Sequence, residues 1–264
     1  MSQFFALVRH EFGMSIRRPG LWIAYGLLMA FYTGSLLLPG TGPGKVDPQD
    51  EITMNTLWQY AGEFTYQFNL FLPVVVGILA ADRVQRDFRL GMRELQISSP
   101  LRPGIYILGK YTGVLASMFL PVFGWVIALA VLLPSIGLAP IAMVYALPVA
   151  SLAITLPAFA FVTAFSLACP LVMPLRVYQI LFVGYWFWGN FINPEVFPTL
   201  NGTLITAGGV LAYQGFFGGF PRIDPSLLEY TARDASLNLI VLALCIAAVL
   251  VVLYAYLRQK SRRA

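Results

Sequence analysis

Long apolar runs alternate with short polar and basic segments along this chain. A helix needs about 20 apolar residues to cross the hydrocarbon core of a membrane. The apolar runs approach that length at six places and predict six transmembrane helices. These runs are residues 20–38, 57–81, 111–133, 141–168, 177–192 and 237–257.

The first 18 residues show a different, amphipathic pattern. Apolar side chains recur on one helical face and basic side chains occupy the other faces. The apolar positions are Phe5, Val8, Phe12 and Ile16. We predict an amphipathic helix over residues 1–18 that lies in the membrane interface. Charged residues precede the first long apolar run, so we do not expect a cleaved signal peptide.

The segment between the fifth and sixth runs has two interpretations. Residues 199–220 carry no charge and are long enough for a span, but the six glycines among them weaken a helix. We interpret residues 193–234 as an outer segment that re-enters the membrane without crossing it. Non-helical backbone at that depth must be buried against protein or a water-filled cavity. The alternative is a seventh span, which would place the basic C-terminal tail outside.

The composition indicates a membrane protein. Of the 264 residues, 58% are hydrophobic and only 11% are charged, and the mean hydropathy is +0.74. Soluble domains carry about 25% charged residues. Too few charges remain to cover a surface that faces water, so we predict a single all-α transmembrane domain over residues 1–264.

The basic residues indicate the orientation. With the N-terminus inside, all 17 Lys and Arg residues except Lys45, Arg222 and Arg233 lie on the cytoplasmic side. This asymmetry follows the positive-inside rule and predicts that both termini are cytoplasmic. The net charge is +5, but the basic residues face the cytoplasmic leaflet of the membrane, and we expect no nucleic-acid partner.

Side chains that carry catalysis or bind metals are scarce. His10 is the one histidine, and the two cysteines lie in separate apolar runs, which disfavours a His/Cys metal site. Residues 40–46 resemble a phosphate-binding loop, but the glycine spacing is too short and Val46 replaces the Ser or Thr that holds Mg²⁺. We expect no catalytic residue, cofactor or metal in this chain.

One carboxylate falls within a predicted span. Glu63 lies in the outer third of the second run, whereas ion-driven transporters place carboxylates near the midplane. Two interpretations stay open: a carboxylate at the outer interface, or one wall of a substrate cavity. The candidate cavity residues are Glu63, Tyr66, Gln67 and Asn69, with Gln59 beside them. Either way, uphill transport would take its energy from a partner.

The segment 82–103 carries the most specific pattern. Phe88, Met92 and Leu95 recur at helical spacing, with basic residues on the other faces. The pattern predicts a short amphipathic helix that ends at Ser98-Ser99-Pro100. It is either a basic helix on the lipid headgroups or a docking helix that receives force from a cytoplasmic partner.

This loop resembles that of the type-2 ABC transporter permeases. An acidic and basic cluster is followed by Gly91, Glu94-Leu95, Ser99-Pro100 and Gly109-Lys110. Met92 departs from the pattern, because Thr is common at that position. The resemblance implies a coupling helix that contacts a separate ATPase subunit. The implied coupling residues are Asp87, Phe88, Gly91, Met92, Arg93, Glu94, Leu95 and Pro100.

The resemblance also implies the setting of the chain. It implies a permease in the cytoplasmic membrane of a prokaryote, paired with a second copy or a sister permease. Two ATPase subunits would bind ATP and Mg²⁺. The apolar and aromatic residues of the expected cavity lining favour a hydrophobic or amphiphilic exported substrate. A non-transporting membrane scaffold or assembly protein is the alternative. A membrane-embedded enzyme is disfavoured by the near absence of His, Asp and Glu in the spans.

Overall fold

The computed structural model describes residues 2–37, 54–89, 102–194, 196–219 and 230–262. Within these ranges the chain forms helices and turns and contains no strand, which confirms the all-α prediction. The helices are α1 (Ser2–Ile16), α2 (Pro19–Leu37), α3 (Met54–Phe68), α4 (Leu72–Ala80), α5 (Arg83–Arg89), α6 (Pro103–Ser135), α7 (Met143–Ala168), α8 (Leu175–Asn190), α9 (Val210–Phe217) and α10 (Ala232–Arg262), with a 3-10 turn at Cys169–Leu171.

Four of the six predicted spans correspond to helical stretches that are long and apolar enough to cross a membrane. These stretches are Thr56–Asp87, Pro103–Ser135, Met143–Leu171 and Ala232–Gln259. The first and fifth predicted spans form α2 and α8. Helix α8 has 16 residues, so it is about 24 Å long and falls short of a hydrocarbon core of about 30 Å.

Helix α7 lies at the centre of the bundle. It packs against α3, α4, α6, α9 and α10. Small side chains on its buried positions, including Ala150, Ser151 and Ala158, allow these neighbours to approach closely. These five helices are thus arranged around α7.

The second predicted span is interrupted between α3 and α4. Pro73 has no N–H, so the carbonyl oxygen of Asn69 loses the donor that a continuous helix would supply. The indole Nε1 of Trp186 in α8 replaces it, at 3.2 Å from the Asn69 oxygen and 3.3 Å from the Leu70 oxygen. The interruption is therefore satisfied by a side chain more than a hundred positions away.

Helix α1 is held against the first part of α6. A Cβ atom on Gly109 would lie 2.8 Å from the side chain of Leu7, and one on Gly113 would lie 2.9 Å from the carbonyl oxygen of Val8. Glycines spaced four apart on one helical face allow two backbones to approach closely. Helix α1 covers residues 2–16 of the segment predicted as a helix over 1–18, packs on the bundle and exposes Phe5, while its place in the membrane interface stays a prediction.

Two helices expose large apolar faces. Only 17% of the most apolar stretch of α10 is buried in the bundle. Leu244, Val251 and Val252 are among its exposed residues. On α2, Leu27 and Phe31 are exposed in the same way. Soluble monomers rarely expose contiguous apolar patches of this kind, whereas helices surrounded by lipid do.

The chain between α8 and α10 folds back into the bundle. Residues 206–213 are buried, and α9 packs against α3, α7 and α10. Helix α9 begins after Gly209, at φ 93°, and ends before Gly218, at φ 67°, a backbone region that favours glycine. With eight residues, α9 is about 12 Å long and too short to form a seventh span.

Candidate functional site: a buried charge cluster at the start of the 82–103 loop

The predicted coupling residues fall in and after α5. Asp87 is described with its side chain, and Phe88 lies in the same helix. The other predicted coupling residues lie outside the part of the chain that the structure describes. They are Gly91, Met92, Arg93, Glu94, Leu95 and Pro100. The described part of the candidate site therefore consists of residues at the beginning of the loop.

Asp87 binds Lys110 at the beginning of α6. The Nζ atom of Lys110 donates to Asp87 Oδ2 at 2.7 Å, and the Tyr106 hydroxyl donates to the same oxygen at 2.6 Å. Lys110 Nζ also donates to Glu11 Oε1 in α1 at 2.7 Å. One ammonium group therefore joins α1, α5 and α6. We call these four side chains the Lys110 cluster.

The Lys110 cluster is shielded from solvent. The side chains of Lys110 and Glu11 are 2% and 4% exposed, and that of Asp87 is 19% exposed. Charges removed from water are tolerated when their partners remain in place, and removing one partner leaves a costly buried charge. The start of the loop therefore cannot leave α6 without breaking the Asp87–Lys110 ion pair and the hydrogen bond from Tyr106.

A second ion pair lies beside the cluster. Arg18 Nη1, between α1 and α2, lies 3.0 Å from Asp82 Oδ1, just before α5. These two side chains are 21% and 36% exposed, so solvent weakens their attraction. The pair connects the other end of α5 to the N-terminal region, and α5 is thus bound at both ends.

No known family model, characterised protein or solved structure matches this chain. Among the residues that the structure covers, no group of three or more His, Cys, Asp or Glu side chains is placed to hold a metal ion. The cluster is built from ion pairs between helices, an arrangement that fixes their relative positions.

The predicted cavity residues lie on α3 and directly after it, far along the chain from Glu11 and Lys110. Glu63 accepts a hydrogen bond from Gln67 Nε2 at 2.8 Å. The ring of Tyr66 stacks on that of Tyr213 in α9, with 5.3 Å between centroids. Tyr66 therefore contacts the segment between α8 and α10, and the role of Glu63 in a cavity stays a prediction.

Asparagine side chains hold the irregular backbone before α9. Asn69 is fully buried, and its Nδ2 donates to the carbonyl oxygens of Ile154 at 3.2 Å and Gly208 at 3.1 Å. Asn190 accepts a hydrogen bond from the Gly208 N–H at 2.7 Å. Asn238 donates at 2.9 Å to the carbonyl oxygens of Leu204 and Thr206. Buried backbone outside a helix needs such partners.

A cleft of about 650 Å³ lies where α3, α7 and α9 meet. Its lining residues are mostly apolar or aromatic: Trp58, Gln59, Val149, Ala153, Gly215, Phe216, Phe217 and Gly218. Gln59, which the sequence placed beside the candidate cavity, donates to the Gly218 carbonyl oxygen at 2.9 Å. The four cavity candidates themselves are not among the lining residues.

Sequence reasoning missed the two residues that complete the Lys110 cluster. Glu11 was only one of the charged positions before the first apolar run, and Tyr106 had no assigned role. The sequence pattern places Lys110 in the loop motif and gives no sign that it is a buried cation. The spacing of Gly109 and Gly113 is the signal that could have shown a helix packed against the beginning of α6.

Proposed function

We propose that this chain is the membrane-spanning subunit of a type-2 ABC transporter and is driven by a separate ATPase subunit. The supporting observation is that the loop resembling a coupling segment begins in a helix bound by buried ion pairs. Asp87 carries this connection, through Lys110, to both α1 and α6. The chain itself would hydrolyse no ATP, and the partner would hold ATP and Mg²⁺.

The connection suits the transmission of force. Helix α5 has only seven residues, too few to be stable alone. The ion pair of Asp87 with Lys110, which also holds Glu11, would make α5 move with α1 and α6 when the following loop is displaced. Helix α6 has 33 residues and extends to the opposite end of the bundle. Packed interfaces of this kind switch between discrete arrangements, so movement at the loop would change access at the far end.

The membrane arrangement that we propose has six spans and cytoplasmic termini. Arg18, Arg83 and Arg86 lie at the end of the bundle where α6 begins, as the positive-inside rule expects for a cytoplasmic face. Helices α2 and α8 would form the first and fifth spans in the cytoplasmic membrane of a prokaryote. The burial of residues 206–213 and their asparagine partners support a re-entrant segment between the last two spans.

The proposed substrate is hydrophobic or amphiphilic. Support comes from the aromatic and apolar lining of the cleft between α3, α7 and α9. The transport pathway would be shared with a second copy or a sister permease, because ABC permeases of this type act in pairs. The proposed direction, export rather than import, rests on analogy with the permease family that the loop resembles.

Copurification tests the proposal. The full chain is purified from its native membrane, and the accompanying subunits are identified by mass spectrometry. We expect an ATPase with a phosphate-binding loop, and we expect Asp87→Asn or Phe88→Ala to reduce its recovery. Arg86→Gln is the matched control, because Arg86 is exposed on the same helix. A native complex without an ATPase would favour a membrane scaffold instead.

A further inference from the structure

Arg83 is a buried cation whose hydrogen bonds are incomplete. It is the first residue of α5 and is only 3% exposed. Its Nε and Nη2 atoms have no hydrogen-bond partner within the described ranges. Buried polar groups in folded proteins almost always have partners. A guanidinium group kept in this state at the beginning of the loop therefore requires a physical reason.

Glu11 in α1 also has a carboxylate oxygen that lacks a hydrogen-bond partner within the described ranges. Its Oε1 atom accepts from Lys110, whereas Oε2 is buried and has no partner in the described chain. Arg83 is attracted by Glu11 and by Asp82, and is repelled by Arg18 and Arg86. An unused carboxylate oxygen on α1 and unused guanidinium N–H groups on α5 thus attract each other without forming an ion pair.

The positions of these residues on their helices support a direct approach. Arg83 and Asp87 are four apart, so they lie on the same face of α5. Asp87 on that face is already bound to Lys110, which also holds Glu11. Ser15 follows Glu11 by four positions on α1, and its Oγ is also buried without a partner in the described ranges. Around Asp87 the link from α5 through Lys110 to α1 is complete, whereas around Arg83 the polar groups of α5 and α1 have no hydrogen-bond partner within the described ranges.

We propose that Arg83 is a positioning residue with two states, open in this conformation and bound to Glu11 Oε2 in a second one. In the second state α5 closes on α1, and Glu11 holds Lys110 and Arg83 together. The Arg18–Asp82 and Asp87–Lys110 pairs stabilise the present position of α5. The new pair would stabilise the other position, so that both states are populated.

This inference rests on the proposed function only for its use in transport. If the chain is an ABC permease, displacement of the loop by the ATPase would select between the open and closed positions of α5. Ligands and partners shift populations of states that the protein already has. The two positions should therefore be detectable in the full chain without any ATPase present.

Pulsed electron spin resonance on the full chain in lipid nanodiscs measures these positions. Spin labels are attached through His10→Cys on α1 and Arg86→Cys on α5, both exposed positions, after replacement of Cys169 and Cys245 by Ala. We expect two distance populations, and we expect Arg83→Gln to remove the shorter one. Arg83→Lys should keep part of it. Arg17→Gln, which removes an exposed cation nearby, should leave both populations unchanged.

Thermal unfolding provides the check on folding. Since Arg83→Gln removes an unpaired buried charge, its Tm should be equal to or above that of the parent chain. A single distance population in the parent chain would overturn the inference, as would an unchanged distribution in Arg83→Gln. Copurification without an ATPase would contradict the proposed function alone, because the two distances do not depend on it.

Discussion

The single side chain of Lys110 connects three helices of this bundle. Its ammonium group binds Glu11 and Asp87 at 2.7 Å each, and lies 5.6 Å from the centroid of the Tyr106 ring. The apolar pattern could predict that a span begins near this position. It could not predict the partners, because Glu11 is 99 positions away in sequence. Ion pairs between distant residues leave no periodic signal.

Replacing Lys110 by Met should destabilise the chain strongly. The substitution leaves Glu11 and Asp87 as buried carboxylates without their cation, and such a loss typically costs about 3–5 kcal/mol. We expect a clearly lower Tm in nanodiscs, measured by tryptophan fluorescence. The control Arg86→Met removes an exposed cation from α5 and should stay within about 0.5 kcal/mol of the parent chain. Equal effects of the two substitutions would contradict a structural role for the buried pairs.

The helices themselves were largely predictable, whereas their interruptions were not. The apolar runs predicted α6, α7 and α10, but only α7 has bounds close to those predicted, since α6 begins at Pro103 and α10 at Ala232, eight and five residues earlier than expected. The second run was predicted as one helix, yet it divides into α3 and α4. The division depends on Trp186 satisfying the carbonyl oxygen freed by Pro73, a contact that only the assembled bundle provides.

The close packing of α1 against α6 can be tested by substitution. A Cβ on Gly113 would lie 2.7 Å from Glu11 Cβ and 2.9 Å from the Val8 carbonyl oxygen, so Gly113→Ala forces the helices apart. We expect a loss of about 1–3 kcal/mol, as for other overpacked contacts, measured by chemical denaturation in detergent.

Gly124→Ala is the matched control in the same helix. No atom of a neighbouring residue lies within 4 Å of the place that a Cβ on Gly124 would occupy, so the alanine should stabilise α6 by about 0.5–1 kcal/mol. Changes of opposite sign in the free energy of unfolding for the two substitutions would show that α1 packs directly against α6. A stabilising Gly113→Ala would mean that α1 does not occupy this position in the membrane.

For the whole molecule, the composition and the apolar runs were sufficient to predict a helical bundle with several membrane-spanning helices. They could not show that α7 is its central helix, because the apolar runs look alike when read singly. The segment 82–103 lies mainly outside the described residues, so its proposed coupling role depends on sequence resemblance and on the ion pairs at its start. The predicted cavity residues Tyr66 and Asn69 instead contact the segment around α9.

The proposed orientation can be tested by labelling single cysteines in intact cells. His10→Cys lies at an exposed position of α1, and Ile141→Cys lies in the turn between α6 and α7, where the residue is 78% exposed. In a background without native cysteines, a membrane-impermeant maleimide should label position 141 from outside. Position 10 should react only after the cells are opened. The reverse pattern would invert the bundle and rule out a cytoplasmic ATPase at the 82–103 loop.

The asparagine contacts before α9 also constrain how the chain is made. Asn69 is synthesised long before Gly208, but Asn238 emerges only afterwards, in the helix that follows. The backbone at Leu204 and Thr206 therefore cannot complete its hydrogen bonds while the ribosome is still translating that region. Docking of this segment must wait for α10 to be inserted, which makes it a late step of biogenesis. A nascent chain arrested before Asn238 should accordingly leave the segment open to proteases, whereas the full-length chain protects it.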